Sequence, residues 1–309
     1  MAKCNTKLIR TFAENINVMD YTLNIKGRLL SLSAPVVMGI LNCTPDSFFA
    51  GSRKQTEKEI ADRANQIVAE GGSIIDVGAF STRPGASEVS QEEEMNRLRH
   101  ALPIVAREQP GVAISVDTYR PDVARMAVEE YGADIINDVS EGGITGIVDK
   151  PLEERYDVAD GADGDERFKQ YPAIFRMMGR LKVPYILMSV QGNIHDMLIN
   201  FAKEVQQLRD LHVNDIILDP GYGFGKTQEE NFAILRDQRK LEVLGLPILA
   251  GLSRKRLIWK TLGLTADEAL NGTTVVNTVA LANGASILRV HDVKEAAQAV
   301  KLSTFIYKQ

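Results

Sequence analysis

The chain has 309 residues, 44% of them hydrophobic and 25% charged, with a formal net charge of −5. That balance excludes a disordered, collagenous or coiled-coil chain, and its acidic sign excludes a protein that coats nucleic acid, which needs a basic face to neutralise phosphates. No run reaches the roughly 18 apolar residues of a membrane span, the N-terminal segment lacks the apolar core of a secretion signal, and Cys4 and Cys43 are too few for a disulfide framework, so the sequence reads as cytoplasmic.

In chain order, YTLNIKGRLLSLS at 21–33 reads as two short strands around Lys26-Gly27, a hairpin placed to plug the bottom of a barrel. Unbroken apolar runs follow at 36–41, 74–77 (IIDV), 113–116, 134–136, 185–188, 216–219, 247–251 and 286–290. Such runs are strands buried on both faces. Helix starts between them are signed by capping boxes at Thr56 to Glu59, Ser90 to Glu93 and Thr227 to Glu230, and by Pro121 at a first helical position. Eight strands alternating with helices predict an α/β fold, a single (β/α)8 TIM barrel, where an open doubly wound sheet would stop at five to seven strands. The division expected is 1–34 as N-terminal extension and hairpin and 35–309 as barrel. An acidic, glycine-containing surface insertion is expected after the fourth strand, at about 141–170.

Catalytic groups of such a barrel project from the C-terminal ends of its strands. Those ends carry Asn42 with Asp46 behind it, then Ser81-Thr82-Arg83, then Asp117, Asn137 and Asp219. The later ends carry Ser253-Arg254-Lys255, Arg289 and His291. One polar residue after a strand is usually a turn former, but agreement around the whole barrel argues for a site. Asp117, Asn137, Asp219 and Lys255 are the acceptors and donors that bracket a flat heterocycle bearing N–H groups and a carbonyl. Arg83, Arg254, Arg289 and His291 form a cationic set beside glycine loops, suited to phosphate. Asn42 and Asp46 are oxygen ligands suited to Mg²⁺ beside phosphate oxygens. GYGFGKT lacks Walker spacing, no GxSxG elbow exists, and the remaining histidines have no partners at metal-ligand spacing. Lys255 as a Schiff-base lysine suits the surrounding hydrogen-bonding set less well than a binding role.

MGILNCTPDSFF at 38–49, IIDVGAFSTRPGA at 74–86, ISVDT at 114–118, IINDVS at 135–140, LDPGYGFGKTQEEN at 218–231, GLSRK at 251–255 and LRVHDV at 288–293 are long, specific motifs. From about Val36 to Leu302 the chain closely resembles the bacterial dihydropteroate synthases of the folate pathway. The resemblance implies a transferase that joins para-aminobenzoate to 6-hydroxymethyl-7,8-dihydropterin pyrophosphate with release of pyrophosphate. It implies a pterin site of Asp117, Asn137, Met188, Asp219, Phe224 and Lys255, with Asp219, Lys255 and Arg83 the catalytic set. Asn42, Arg289 and His291 would take the pyrophosphate, with Asn42 the ligand of Mg²⁺. Ser81, Thr82 and Arg83, with Phe224 and Ser253, would take aminobenzoate and the sulfonamides that mimic it. A homodimer packed through late helices is implied too. The chain departs from the family at Ser189-Val190, where a histidine and a methionine are usual, and at Ala50, where a carboxylate is lost. The alternatives are a pterin-binding methyltransferase-type domain, which needs no pyrophosphate site, and a non-catalytic pterin-binding module.

Overall fold

The computed structural model describes residues 20–43, 53–80, 89–141 and 169–307. Thr22–Ile25 (β1) and Arg28–Ser31 (β2) form the expected antiparallel hairpin. Its two-residue turn needs left-handed backbone at both positions, and Lys26 and Gly27 supply φ values of 50° and 85°. The strain at Lys26 is offset by its side chain, which donates to the Gly132 carbonyl and lies 3.4 Å from Asp134.

Eight parallel strands follow: Val36–Asn42 (β3), Ile74–Gly78 (β4), Ala113–Asp117 (β5), Ile135–Asp138 (β6), Tyr185–Met188 (β7), Ile216–Asp219 (β8), Ile248–Ala250 (β9) and Ala285–Val290 (β10). Each pairs with the next and β10 closes on β3, so the sheet is a barrel without edges. Around it run Arg53–Ala69 (α1), Gln91–Glu108 (α2), Pro121–Glu129 (α3), Ala173–Leu181 (α4), Ile194–Asp210 (α5), Gln228–Asp237 (α6), Arg256–Leu262 (α7), Leu270–Ala282 (α8) and Val293–Tyr307 (α9). This is the (β/α)8 barrel expected.

Side-chain alternation splits the strands into two cores. Outward residues such as Val37, Leu41, Ile75, Val77, Val116 and Leu187 pack under the helices. Inward, every barrel strand contributes one residue to a floor: Met38, Ile74, Ala113, Ile135, Ile186, Ile217, Leu249 and Ile287. Leu23, Ile25 and Leu32 of the hairpin region pack onto that floor, so the hairpin does plug the bottom. Its backbone is tied down by Asn24 N–H donating to Asp215 Oδ1 (3.1 Å) and by Arg28 donating to the Gly111 carbonyl.

The helix starts follow the sequence signals in three of four cases. Thr227 and Glu230 make a reciprocal capping box, with bonds of 3.2 and 2.6 Å, and Pro121 opens α3. Ser90 accepts from Glu93 N–H, but the Glu93 carboxylate takes Arg97 Nε at 2.7 Å. Thr56 does not cap α1, which already begins at Arg53 because Arg-Lys-Gln are themselves good helix formers. The surface insertion expected at about 141–170 falls after β6; its residues 142–168 lie outside those described, as do 1–19.

Candidate active site

One period of two beyond the apolar floor, the inward positions turn polar. Ile74 is followed by Asp76, Ala113 by Ser115, Ile135 by Asn137, Ile217 by Asp219 and Ile287 by Arg289, while Ile186 is followed by Met188. Another step gives Gly78 and Asp117, and Asn42 ends β3. Strand register lays Asn42 opposite Gly78, Gly78 opposite Asp117, and Asp117 opposite Asn137, and it sets Met188 beside Asp219. Asp117, Asn137 and Asp219 therefore stand within strands, held by the barrel itself.

Arg289 joins this ring. Its Nε donates to Asp76 Oδ2 and one Nη to Asp117 Oδ2, each at 2.6 Å. Burial alone would lower the guanidinium pKa, but Asp76 and Asp117 outweigh it and hold the group charged. Asp76, fully buried, also accepts from Ser115 Oγ (2.6 Å) and Asn137 Nδ2 (3.2 Å). Two oxygens of the ring, Asp117 Oδ1 and Asn137 Oδ1, are buried without a hydrogen-bond partner. Buried acceptors are rarely left so, and an unmet one costs about 1–3 kcal/mol, so these two mark where a ligand's N–H groups belong. Burial pushes the Asp117 carboxyl up, against Arg289 and with the help of Asp76.

Asp219 ends β8 and Lys255 follows the neighbouring strand β9, and the two are charge partners. Burial raises the Asp219 carboxyl, opposed first by Lys255, and burial brings the Lys255 ammonium down to about 7, opposed first by Asp219. Lys255 lies over the Phe224 ring, 4.6 Å from its centroid, and donates to the Tyr222 carbonyl. Asp219 Oδ1 accepts from Gly221 N–H at 2.8 Å, which fixes the carboxylate. Gly221 has φ +65°, and a Cβ there would sit 2.1 Å from the Ser189 carbonyl, so only glycine fits this turn. Lys226 staples the loop by donating to the carbonyls of Ser189 (2.8 Å) and Gly221 (2.9 Å).

On the β10 side, His291 N–H donates to Ser253 Oγ (3.1 Å), and His291 Nδ1 lies 3.2 Å from the same oxygen. Ser253 thus sits with the cationic edge. Arg254, grouped by sequence with the phosphate cations, instead grips Asp292 through Nε and Nη2 at 2.9 and 2.8 Å and donates to the Ala266 and Asp267 carbonyls. Arg63 of α1 binds the carbonyls of Ile40 (3.2 Å) and His291 (2.7 Å), bracing β3 against β10. Asp46, Ser81, Thr82 and Arg83 lie outside the described residues, and so does Ala50. Before the segment carrying Ser81 to Arg83, Phe80 packs edge-on against Tyr119 (5.4 Å), and after it the Val89 carbonyl accepts from Arg120 (2.7 Å), which is paired with buried Glu94.

Sequence reasoning missed Asp76, although a charged residue inside an apolar strand is itself a signal that partners await it. It also missed two buried carboxylates: Glu141, which accepts from Ser189 Oγ at 3.0 Å, and Glu204, whose carboxyl the charge of Glu141 helps to raise. The site fits a metal only in part. Among the described residues no three His, Cys, Asp or Glu side chains converge as a metal-holding group, and Asn42 offers one neutral oxygen. Such a site suits a cation whose remaining ligands are phosphate oxygens and water.

Comparison with known proteins agrees with this geometry. A family model described as pterin binding enzyme matches residues 38–291. Dihydropteroate synthase of Escherichia coli (strain K12) is 36% identical over 90% of this chain and 93% of its own length, and that of Synechocystis sp. is 37% identical over 88% and 90%. The structure of Xanthomonas albilineans dihydropteroate synthase with 4-aminobenzoic acid superposes with a TM-score of 0.76, at 31% identity, covering 93% of this chain and 98% of that one. The same enzyme in complex with 7,8-dihydropteroate gives 0.74, at 28% identity over 93% and 98%. With its polar ring framed by the same barrel, the chain belongs to the pterin-binding enzymes and, within them, to the dihydropteroate synthase family.

Proposed function

We propose that the chain condenses 6-hydroxymethyl-7,8-dihydropterin pyrophosphate with para-aminobenzoate, giving 7,8-dihydropteroate and pyrophosphate. The observation that carries this is the pair of unmet buried acceptors, Asp117 Oδ1 and Asn137 Oδ1, in one ring with Asp219 and Lys255. A pterin edge offers N–H donors and a carbonyl to such a set. Met188 and Phe224 supply the apolar walls.

Pyrophosphate leaves with the electron pair of its C–O bond, the exocyclic methylene becomes cationic, and the aniline nitrogen attacks it and then sheds a proton. No side-chain nucleophile is needed. Asp219, held in place by Gly221 N–H, offsets the positive charge that spreads into the pterin. Lys255 donates to an acceptor of the ring. Arg289 keeps one terminal nitrogen beyond those bound to Asp76 and Asp117, and with His291 and Asn42 it receives the departing pyrophosphate. Asn42 is the residue to hold Mg²⁺, which when bound neutralises charge on the leaving group. By the motif's resemblance, aminobenzoate falls to Ser81, Thr82, Arg83, Phe224 and Ser253. Neither the methyltransferase reading nor the non-catalytic one is favoured by any observation.

The division into 1–34 and a 35–309 barrel, a cytoplasmic location, sulfonamide competition with aminobenzoate and a homodimer belong to this reading. Among the described residues no helix is long and apolar enough to cross a membrane. The dimer is supported by Val275 and Val279 on α8 and Leu302, Phe305 and Ile306 on α9, all exposed on two helices that pack together. The test of the activity is release of pyrophosphate from the pterin substrate with Mg²⁺ and para-aminobenzoate, dihydropteroate being identified by mass. Release coupled to that product is expected. Saturable pterin binding without release would overturn the catalytic reading.

A further inference from the structure

Asp76 reaches no opening of the barrel, yet it determines what two site residues present to a ligand. Three donors converge on its carboxylate: Ser115 Oγ on one oxygen, Asn137 Nδ2 and Arg289 Nε on the other. A carboxylate so surrounded acts only as an acceptor, so it must face the NH₂ end of the Asn137 amide. The carbonyl end, Oδ1, is thereby turned the other way, buried and unmet. Through Arg289 the same carboxylate reaches Asp117: with Nε fixed on Asp76, the guanidinium lays a terminal nitrogen on Asp117 Oδ2 and leaves Oδ1 open. A planar guanidinium transmits orientation of this kind because its nitrogens lie in one rigid fork.

We infer that Asp76 is a positioning residue that sets the polarity of the ring-binding site, so that Asn137 and Asp117 both present acceptors to the N–H edge of a heterocycle. The inference rests on the pterin reading above and adds the origin of its selectivity. Without the carboxylate the Asn137 amide is free to turn over and confront ligand N–H groups with its own NH₂. A site built to meet N–H groups then loses its preference for ligands that carry them, since mismatched buried donors are what rejects a wrong ligand.

The first measurement is on the wild-type protein, isotope-labelled so that the Asn137 side-chain NH₂ signals are observed and assigned by their loss in Asn137→Asp. Slow exchange with solvent, in the free protein and with bound pteroate, is expected. NH₂ signals that exchange freely with solvent in the free protein would overturn the inference. The second is Asp76→Asn, in which one acceptor oxygen becomes a donor. Affinity for pteroate and for the pterin substrate should fall at least about 30-fold, with the KM for para-aminobenzoate moving less than about 3-fold. An equal loss on both substrates, or no loss on the pterin in a folded variant, would sink the idea. Should that variant fail to fold, Asp76→Asn/Asn137→Asp decides. It puts the amide below and the carboxylate above, restores one hydrogen bond and still aims an acceptor at the pterin, so it should recover pterin affinity to within about 5-fold of wild type. A double variant that binds no better than the single, or that does not fold, would show that Asp76 serves the barrel alone. If wild-type protein binds no pterin at all, the functional reading fails instead, independently of where the Asn137 amide points.

Discussion

In the proposed reaction Asp219 is the side chain that carries most of the electrostatic work. It is buried, accepts from Gly221 N–H, and has Lys255 as its first opposing charge. Asp219→Asn keeps the shape and removes the charge, so the barrel should fold while turnover drops at least about 100-fold, the worth of about 3 kcal/mol of transition-state stabilisation. Steady-state rates with unchanged circular dichroism test this, and undiminished turnover would remove Asp219 from the mechanism. Glu204 gives a prediction of a different kind. Burial first, then Glu141 and Asp138, push its carboxyl up to about 9 from 4.5, and its Oε2 has no partner. Between those values the folded state holds a proton that the unfolded chain releases, so this group's contribution to stability is complete below about 4.5 and disappears as pH rises through about 9. Glu204→Gln should flatten the fall in stability across that window and gain most at its alkaline end. Urea denaturation at several pH values measures the slope, and parallel curves for the two proteins would show that Glu204 is not the titrating group.

The elements divide sharply in what the sequence discloses about them. The strands announce themselves because inward and outward faces are both apolar, which leaves unbroken runs, and Asp117, Asn137 and Asp219 stand out because they interrupt those runs at their ends. Asp76 was concealed by the same logic, lying inside IIDV with apolar residues on both sides. Thr56 misleads because a capping box is a local pattern, whereas the start of α1 is set by helix formers further upstream. Arg254 carries the charge expected of a phosphate ligand, but Asp292, 38 residues away in sequence, absorbs it, and no local pattern could have told. The turn after β8 was legible as a glycine loop, and its geometry serves a carboxylate: Gly221 lets the chain pass the Ser189 carbonyl and return an N–H to Asp219. Gly221→Ala forces both a left-handed alanine and a collision with that carbonyl. It should cost about 1–3 kcal/mol of stability and weaken pteroate binding with it. Denaturant midpoints and a pteroate titration follow the two effects, and a variant unchanged in both would show the turn to be more yielding than its geometry implies.

For the molecule as a whole, α8 and α9 gather five of the exposed large hydrophobic side chains among the described residues. Phe305 is 74% exposed, Leu302 65% and Ile306 62%, a concentration of apolar surface that a second copy would cover. Phe305→Asp should convert a dimer to a monomer by sedimentation while the ring at the far ends of the strands is left in place. A wild-type protein that sediments as a monomer would leave that surface unexplained by self-association. The barrel's lower end has the opposite character. Eight floor side chains and the hairpin pack together across it, so among the described residues that end is filled with apolar side chains. Under the proposed function, whatever rests nearest that floor would be loaded first and unloaded last, so a flat ring seated on Asp117, Asn137 and Asp219 would be shut in by a molecule settling above it. On that reading, the sequence of arrival of two reactants would be written into a stopper on the far side of the polar ring.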